Sequence, residues 1–158
     1  MGRCDVGIGD ILVCSGGEEI KTYALGSCVA LVVWDHSLRA GGMIHIALPE
    51  AQINPEKALE KPGYFADSGL PLLFSELKKV GANRHTCWVK LIGGSSILDE
   101  NKTFDIGRRN ALAVKKYLWK IGLALTSEDI GGSISRTVAL AVGTGDLTVS
   151  TGNQRWTL

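Results

Sequence analysis

Two side chains in the first third of the sequence have the chemistry of a nucleophile and a base. Cys28 follows Leu25-Gly26-Ser27, so it stands where a glycine-containing turn enters an apolar run. Such a turn can expose the thiol and direct consecutive backbone N–H groups at one point, as in an oxyanion hole. A thiol with an ordinary pKa of about 8.5 is mostly protonated at neutral pH and needs a partner. His45 is the candidate, because an imidazole can take the proton of a thiol.

Two predicted strands carry these residues. Cys28–Trp34 is continuously apolar and rich in β-branched residues, which predicts a buried strand. Gly42–Leu48 returns as a second strand after a polar turn. Because side chains alternate along a strand, His45 is expected on the same side as Met43 and Ala47.

The register of this hairpin decides whether the thiol and the imidazole meet. A turn centred on His36-Ser37 would place Cys28 directly opposite His45, with Cβ atoms about 5 Å apart. A turn centred on Leu38 would offset the two residues along the strands. The sequence leaves both registers open, and a Cys and a His in paired strands are also common as ordinary core residues.

The remaining elements complete an α+β pattern. Thr86–Ile92 is a third apolar strand, and Thr137–Val142 and Asp146–Thr151 form a hairpin around a glycine-containing turn. Apolar residues at helical spacing predict helices over Asp67–Val80 and Asp105–Ile121, each followed by glycine. Strands outnumber helices and are not regularly interleaved with them, which favours an α+β class over a wound parallel sheet.

Length and charge narrow the class of protein. The 158 residues suffice for one domain, which we expect to span residues 1–158. Lys and Arg number 17 against 16 Asp and Glu, so no bulk positive field favours nucleic acid or an anionic membrane. The longest apolar run is far shorter than the ~20 residues that span a bilayer. We therefore predict a soluble, cytoplasmic protein that binds no nucleic acid and does not insert into membranes.

The four cysteines do not form a metal-binding pattern. None belongs to a C-x-x-C pair, and with three scattered histidines they do not match a zinc framework, so we expect free thiols and no metal.

The sequence also lacks a P-loop and a G-x-S-x-G elbow. Gly93-Gly94-Ser95-Ser96 could offer N–H groups to an anion, although a simple turn after a strand is favoured. A basic face on the second predicted helix could meet an acidic partner or merely be solvated; it comprises Arg108, Arg109, Lys115, Lys116 and Lys120.

Several ordered blocks of the sequence resemble the CheD family of chemoreceptor glutamine deamidases. They extend from about Gly7 to Val142, and together they are highly specific. Tyr23 and Ala24 depart from a commonly smaller, glycine-containing stretch. The blocks are Thr22-Tyr23-Ala24-Leu25-Gly26-Ser27-Cys28-Val29, Gly41-Gly42-Met43-Ile44-His45, Leu48-Pro49, Lys61-Pro62-Gly63-Tyr64-Phe65-Ala66-Asp67, Ile92-Gly93-Gly94-Ser95, Asp105-Ile106-Gly107-Arg108-Arg109-Asn110 and Glu128-Asp129-Ile130-Gly131-Gly132.

The resemblance implies a bacterial chemotaxis enzyme that hydrolyses selected receptor glutamines to glutamate through a cysteine thioester. It places the catalytic cysteine on Cys28, the histidine on His45 and an orienting threonine on Thr22, with no metal or organic cofactor. It implies layered β-sheets with helices packed on one side, as in certain deamidating toxins. The implied partners are the cytoplasmic helices of chemoreceptors and the phosphatase CheC.

Other functions remain open from the sequence. The same fold could bind CheC or receptors as a regulator without catalysis. The thiol could instead hydrolyse receptor methyl esters, since an ester accepts the same nucleophile. A protease would share the acylation chemistry but needs a groove for extended backbone. A redox-sensing thiol ranks last, because the other cysteines offer Cys28 no neighbour in the sequence.

Overall fold

A computed structural model describes residues 2–97 and 104–158, which form ten strands, three α-helices and two short 3-10 helices. The two long helices both end shortly before a glycine, Gly81 or Gly122, whereas among the described helices only the short first one has a capping side chain, Asn54. The 3-10 turns cover Ala51–Ile53 and Pro62–Tyr64. The α-helices are α1 (Pro55–Glu60), α2 (Ala66–Lys79) and α3 (Ile106–Lys120). The strands are β1 (Arg3–Asp5), β2 (Ile11–Ser15), β3 (Glu19–Leu25), β4 (Val29–Asp35), β5 (Ala40–Ile46), β6 (Cys87–Gly93), β7 (Ser127–Ile130), β8 (Arg136–Ala141), β9 (Asp146–Thr151) and β10 (Gln154–Thr157).

The strands form two stacked sheets, and the helices pack on one side of them. The first sheet has the order β1-β3-β8-β9-β10 and the second the order β2-β5-β4-β6-β7. Leu31 and Val33 of β4 pack with α2 and α3, whereas Ala30 and Val32 pack against the first sheet. The unbroken apolar run of β4 is thus explained, because a strand buried on both faces needs apolar residues at every position. The predicted α+β class with helices on one side is confirmed.

The long periodic segments were predictable and the short edge elements were not. The strand β9 has its predicted bounds, and β4, β5, β6 and β8 lie at the predicted places with ends shifted by one or two residues. The helix α2 begins and ends one residue earlier than predicted, and α3 lacks the predicted residue at each end, where helices fray. The sequence did not reveal the edge strands β1, β2, β7 and β10 or the helix α1, because elements of three to six residues carry little periodicity. It also did not reveal the seven-residue β3, an inner strand whose buried positions include the polar Thr22. No helix among the described residues is long and apolar enough to cross a membrane.

Candidate active site

A hydrogen bond between the two sheets joins the threonine and the histidine. Thr22 lies on β3 of the first sheet and His45 on β5 of the second, and both side chains are buried. The Thr22 Oγ1 atom lies 2.7 Å from His45 Nδ1. It also donates to the backbone carbonyl of Val6 over 2.6 Å. The structure therefore places two of the three sequence-predicted site residues in direct contact.

The bonding pattern around Thr22 assigns the tautomer of His45. A carbonyl oxygen can only accept, so the single hydroxyl proton of Thr22 is satisfied best on Val6. His45 Nδ1 must then carry the proton that it shares with Thr22 Oγ1. This leaves Nε2 unprotonated, buried and without a hydrogen-bond partner. His45 accordingly presents a free basic nitrogen between the sheets.

Cys28 lies on the same face as His45 but not directly opposite it. The observed register pairs Ala30 with His45. The turn is therefore centred between the two positions considered from the sequence, His36-Ser37 and Leu38. The register that would have placed Cys28 directly opposite His45 is wrong. Since faces alternate along a strand, Cys28 and Ala30 share a side, and both pack between the sheets. A diagonal neighbour of this kind has a Cα separation of about 7–8 Å.

Backbone groups hold the loop that carries the nucleophile. The Gly26 carbonyl accepts from the Ser95 N–H over 2.8 Å, and the Cys28 carbonyl accepts from the Gly94 N–H over 2.9 Å. In a planar trans peptide the C=O and the following N–H point in opposite directions. The Ser27 N–H is therefore directed away from the segment that binds Gly26. This is the geometry expected of an oxyanion-hole donor.

The Gly93-Gly94 segment is a support for that loop. Gly93 has a φ of 111°, and a Cβ atom there would lie 2.4 Å from the Cys28 carbonyl oxygen, so only glycine permits this approach. Behind it, the buried Arg136 guanidinium donates to Ser95 Oγ over 2.8 Å and pairs with Asp129 at 3.2 Å. The segment leaves the sheet at the end of β6, and the ion pair of the buried Arg136 with the half-buried Asp129 holds it in place.

Burial favours the neutral forms of both reactive groups. It lowers the pKa of His45 from 6.5 to about 4, although the Asp10 carboxylate and the Val6 carbonyl oppose this shift. It also raises the pKa of the Cys28 thiol, while the backbone N–H of Cys28 itself opposes the rise. The resting site thus holds a neutral imidazole and a neutral thiol, not a preformed ion pair.

A charged pair borders the histidine. The Asp10 carboxylate lies 3.0 Å from Lys61 Nζ and accepts from the Gly7 N–H over 2.9 Å. The backbone of the same turn pairs with β5, since the Gly9 N–H donates to the His45 carbonyl over 2.7 Å. This turn also supplies the Val6 carbonyl that binds Thr22. No sequence pattern indicated this turn as part of the site, because its contacts with β5 are made only in the folded chain.

An open cleft of about 410 Å³ lies beside the nucleophile loop. Its walls are largely apolar, and neither Cys28 nor His45 lines it. Among the described residues, no group of three His, Cys, Asp or Glu side chains could hold a metal ion. The residues lining the cleft are Gly26, Ser27, Ser95, Ser96, Ile97, Phe104, Ile106 and Gly107.

The other three cysteines are free, as predicted, and half-buried. Burial and the nearby Glu18 raise the pKa of Cys14 to about 12. Burial and the Asp35 carboxylate raise the pKa of Cys87 to about 11. Thiols with such values are poor nucleophiles at neutral pH, whereas no carboxylate raises the pKa of Cys28.

Part of the basic face of α3 is neutralised within the chain. Lys115 pairs with Glu128 at 3.0 Å. Arg108 lies 3.9 Å from Asp105. These exposed pairs contribute little to stability, and they reduce the positive charge available to an acidic partner. The solvated interpretation of this face is therefore favoured.

Comparison with known sequences identifies the family. The family described as CheD chemotactic sensory transduction matches residues 47–151. A protein of Syntrophotalea carbinolica named "Probable chemoreceptor glutamine deamidase CheD" is 48% identical over 96% of each chain. Relatives with similar names from Anaeromyxobacter dehalogenans and Methanococcus maripaludis (strain C6) are 47% and 38% identical, over 98% and 97% of each chain respectively. The chain therefore belongs to the CheD family.

Proposed function

We propose that this protein is a chemoreceptor glutamine deamidase, which converts selected receptor glutamine side chains to glutamate. The hydrogen bond between Thr22 and His45 carries this proposal, because it leaves a free basic Nε2 on the face where Cys28 lies. A thiol beside an oriented imidazole is the arrangement that attacks an amide carbonyl. The names of the relatives supply the substrate class.

The first half of the reaction forms a thioester. The Cys28 sulfur attacks the glutamine Cδ while His45 Nε2 takes the thiol proton. The negative charge moves to the former carbonyl oxygen, where the outward N–H groups of the nucleophile loop donate to it. His45 then gives its proton to the amide nitrogen, the C–N bond breaks and ammonia leaves.

The second half regenerates the enzyme. A water molecule gives a proton to His45 Nε2 as its oxygen attacks the thioester carbon. The new tetrahedral species collapses, the C–S bond breaks, and His45 returns the proton to the Cys28 sulfur. Thr22 holds the imidazole in one tautomer through both halves. A neutral hydroxyl performs here the orienting role that a carboxylate has in other triads.

The neutral resting state suits this sequence of proton transfers. A His45 pKa of about 4 keeps Nε2 free to accept a proton at neutral pH. We infer that general-base removal of the thiol proton accompanies the attack, since burial disfavours a standing thiolate at Cys28.

We further propose that residues 1–158 form one catalytic domain that acts in the cytoplasm on receptor helices and associates with the phosphatase CheC. Membership of the CheD family supports these proposals. Conversion of a neutral amide to a carboxylate adds negative charge to a packed helix, which changes its pairing energy with neighbours. That change is a physical route from deamidation to altered signalling.

The test is mass spectrometry of a receptor cytoplasmic fragment incubated with wild type, Cys28→Ala or Cys87→Ala protein. Wild type and Cys87→Ala should convert specific glutamines to glutamate, and Cys28→Ala should convert none while still binding the fragment. In H₂¹⁸O, each new glutamate should carry one labelled oxygen from thioester hydrolysis. If the fragment binds but none of the three proteins converts it, the protein is a regulator; conversion of methyl esters alone would make it a methylesterase.

A further inference from the structure

Asn110 is a fully buried polar side chain in the second turn of α3. Its Nδ2 donates to the Ser27 carbonyl over 2.9 Å and to the Ala47 carbonyl over 3.0 Å. Because both partners can only accept, the amide orientation is fixed with Nδ2 toward them. The two carbonyls belong to the residue before Cys28 and to the second residue after His45. One side chain therefore ties the nucleophile loop to the strand that carries the base.

The contact with Ser27 has a direct consequence for Cys28. The Ser27 carbonyl and the Cys28 N–H belong to one planar trans peptide and point in opposite directions. With the carbonyl held toward α3, the N–H must face the opposite side, where the reaction occurs. The backbone N–H of Cys28 also opposes the rise that burial causes in the pKa of its own thiol, so it favours the thiolate. Asn110 thus controls a donor that faces the reacting atoms.

Three features of the Asn110 site lower the stability of the folded protein or restrict its sequence. Asn110 Oδ1 is buried and has no hydrogen-bond partner, which is destabilising because the atom has lost its contact with water. Asparagine also lowers helix stability relative to leucine or alanine. The approach of α3 depends on Gly107, where a Cβ atom would lie 2.4 Å from the Gly94 carbonyl oxygen. Stability alone does not explain a residue with these costs.

We propose that Asn110 is a positioning residue for deamidation, which orients the Ser27–Cys28 peptide and fixes the nucleophile loop relative to the His45 strand. This inference rests on the proposed function, but its test does not depend on receptor turnover. Asn110 touches neither substrate nor reacting atoms, and it acts through the backbone on both sides of the site.

The test compares wild type with Asn110→Leu, which keeps a similar shape and removes both donors, and with Asn110→Ala. The rate of Cys28 alkylation by iodoacetamide is followed by peptide mapping, with Cys14 in the same protein as an internal reference, because its charged neighbour is Glu18 and not a residue changed in any variant. We expect Cys28 alkylation about tenfold slower, as for a thiol pKa raised by one unit. For receptor deamidation we expect kcat to fall on the order of 10²-fold with KM unchanged, the scale of a lost oxyanion donor.

Asp35→Asn is the matched control, because Asp35 is a buried side chain that accepts several hydrogen bonds at the opposite end of β4. It should lower stability without changing Cys28 alkylation or kcat. A folded Asn110→Leu protein with both rates within about twofold of wild type would overturn the proposal. Equal losses in Asn110→Leu and Asp35→Asn would also overturn it, because they would indicate general destabilisation. If wild type fails to deamidate, the alkylation rates alone decide the role of Asn110.

Discussion

Two substitutions of Thr22 can show whether its hydroxyl orients the His45 imidazole or only stabilises the fold. Thr22→Val keeps the shape of the side chain but leaves His45 Nδ1 and the Val6 carbonyl without their hydroxyl partner. Thr22→Ser keeps the hydroxyl and loses one buried methyl group. We expect both variants to be less stable than wild type, by about 1–3 kcal/mol for the lost hydrogen bonds and about 1 kcal/mol for the methyl group.

Activity should distinguish the two variants sharply. A buried hydrogen bond of about 1–1.5 kcal/mol corresponds to about tenfold in the population of the Nδ1–H tautomer. We therefore expect kcat to fall five- to tenfold, by about 1–1.4 kcal/mol, in Thr22→Val and to change little in Thr22→Ser. Nitrogen-15 chemical shifts of His45 should show protonated Nδ1 and free Nε2 in wild type and Thr22→Ser, and a mixture in Thr22→Val.

The assay is the initial rate of receptor-fragment deamidation, measured beside urea unfolding of each variant. The reasoning would be refuted if Thr22→Val retained the wild-type kcat, or if both variants lost activity in proportion to their loss of stability. A wild-type His45 with the proton on Nε2 would equally contradict the tautomer assigned from the hydrogen bonds.

Three further predictions concern pH and backbone strain. The pKa of His45 is lowered from 6.5 in the unfolded chain to about 4 in the folded protein. Between these pH values the unfolded chain binds more protons than the folded protein does. The free energy of unfolding should therefore fall by up to about 3 kcal/mol as the pH drops from 6.5 to 4. Urea unfolding should show a weaker pH dependence in His45→Gln, and equal slopes would contradict the shift. Asp10→Asn should lower the pKa of His45 further, whereas Lys61→Met should raise it, because Asp10 then lacks its compensating positive charge. NMR titration measures both pKa values. Shifts of the same sign in the two variants would exclude the electrostatic explanation. Ala24 has a φ of 53°, a conformation that is strained for alanine and not for glycine. Ala24→Gly should therefore increase stability, because relief of a strain of about 1–2 kcal/mol exceeds the entropy cost of glycine of about 0.5–1 kcal/mol. Thermal unfolding measures this, and a lower Tm would count against strain at this position.

Local patterns in the sequence determined the central elements and the chemical identity of the site. The apolar run that became β4 is buried on both faces, as its uninterrupted apolar character predicted. The alternation in β5 placed His45 on the same side as Met43, as predicted. Helical spacing located α2 and α3, because burial of one helical face repeats every three to four residues. A cysteine after a glycine-containing turn was likewise visible as a candidate nucleophile.

Only the tertiary structure decided how these elements meet. Thr22 and His45 lie on different sheets, and their contact depends on how the sheets stack, which no local pattern encodes. The β4–β5 register could not be chosen from the sequence, since turns whose centres differ by about one residue have similar local preferences. Asn110 reaches the Ser27 carbonyl only because glycine lets α3 approach the neighbouring loop. Periodic burial is a local property of the chain, whereas the pairing of distant polar groups is settled only when the layers pack.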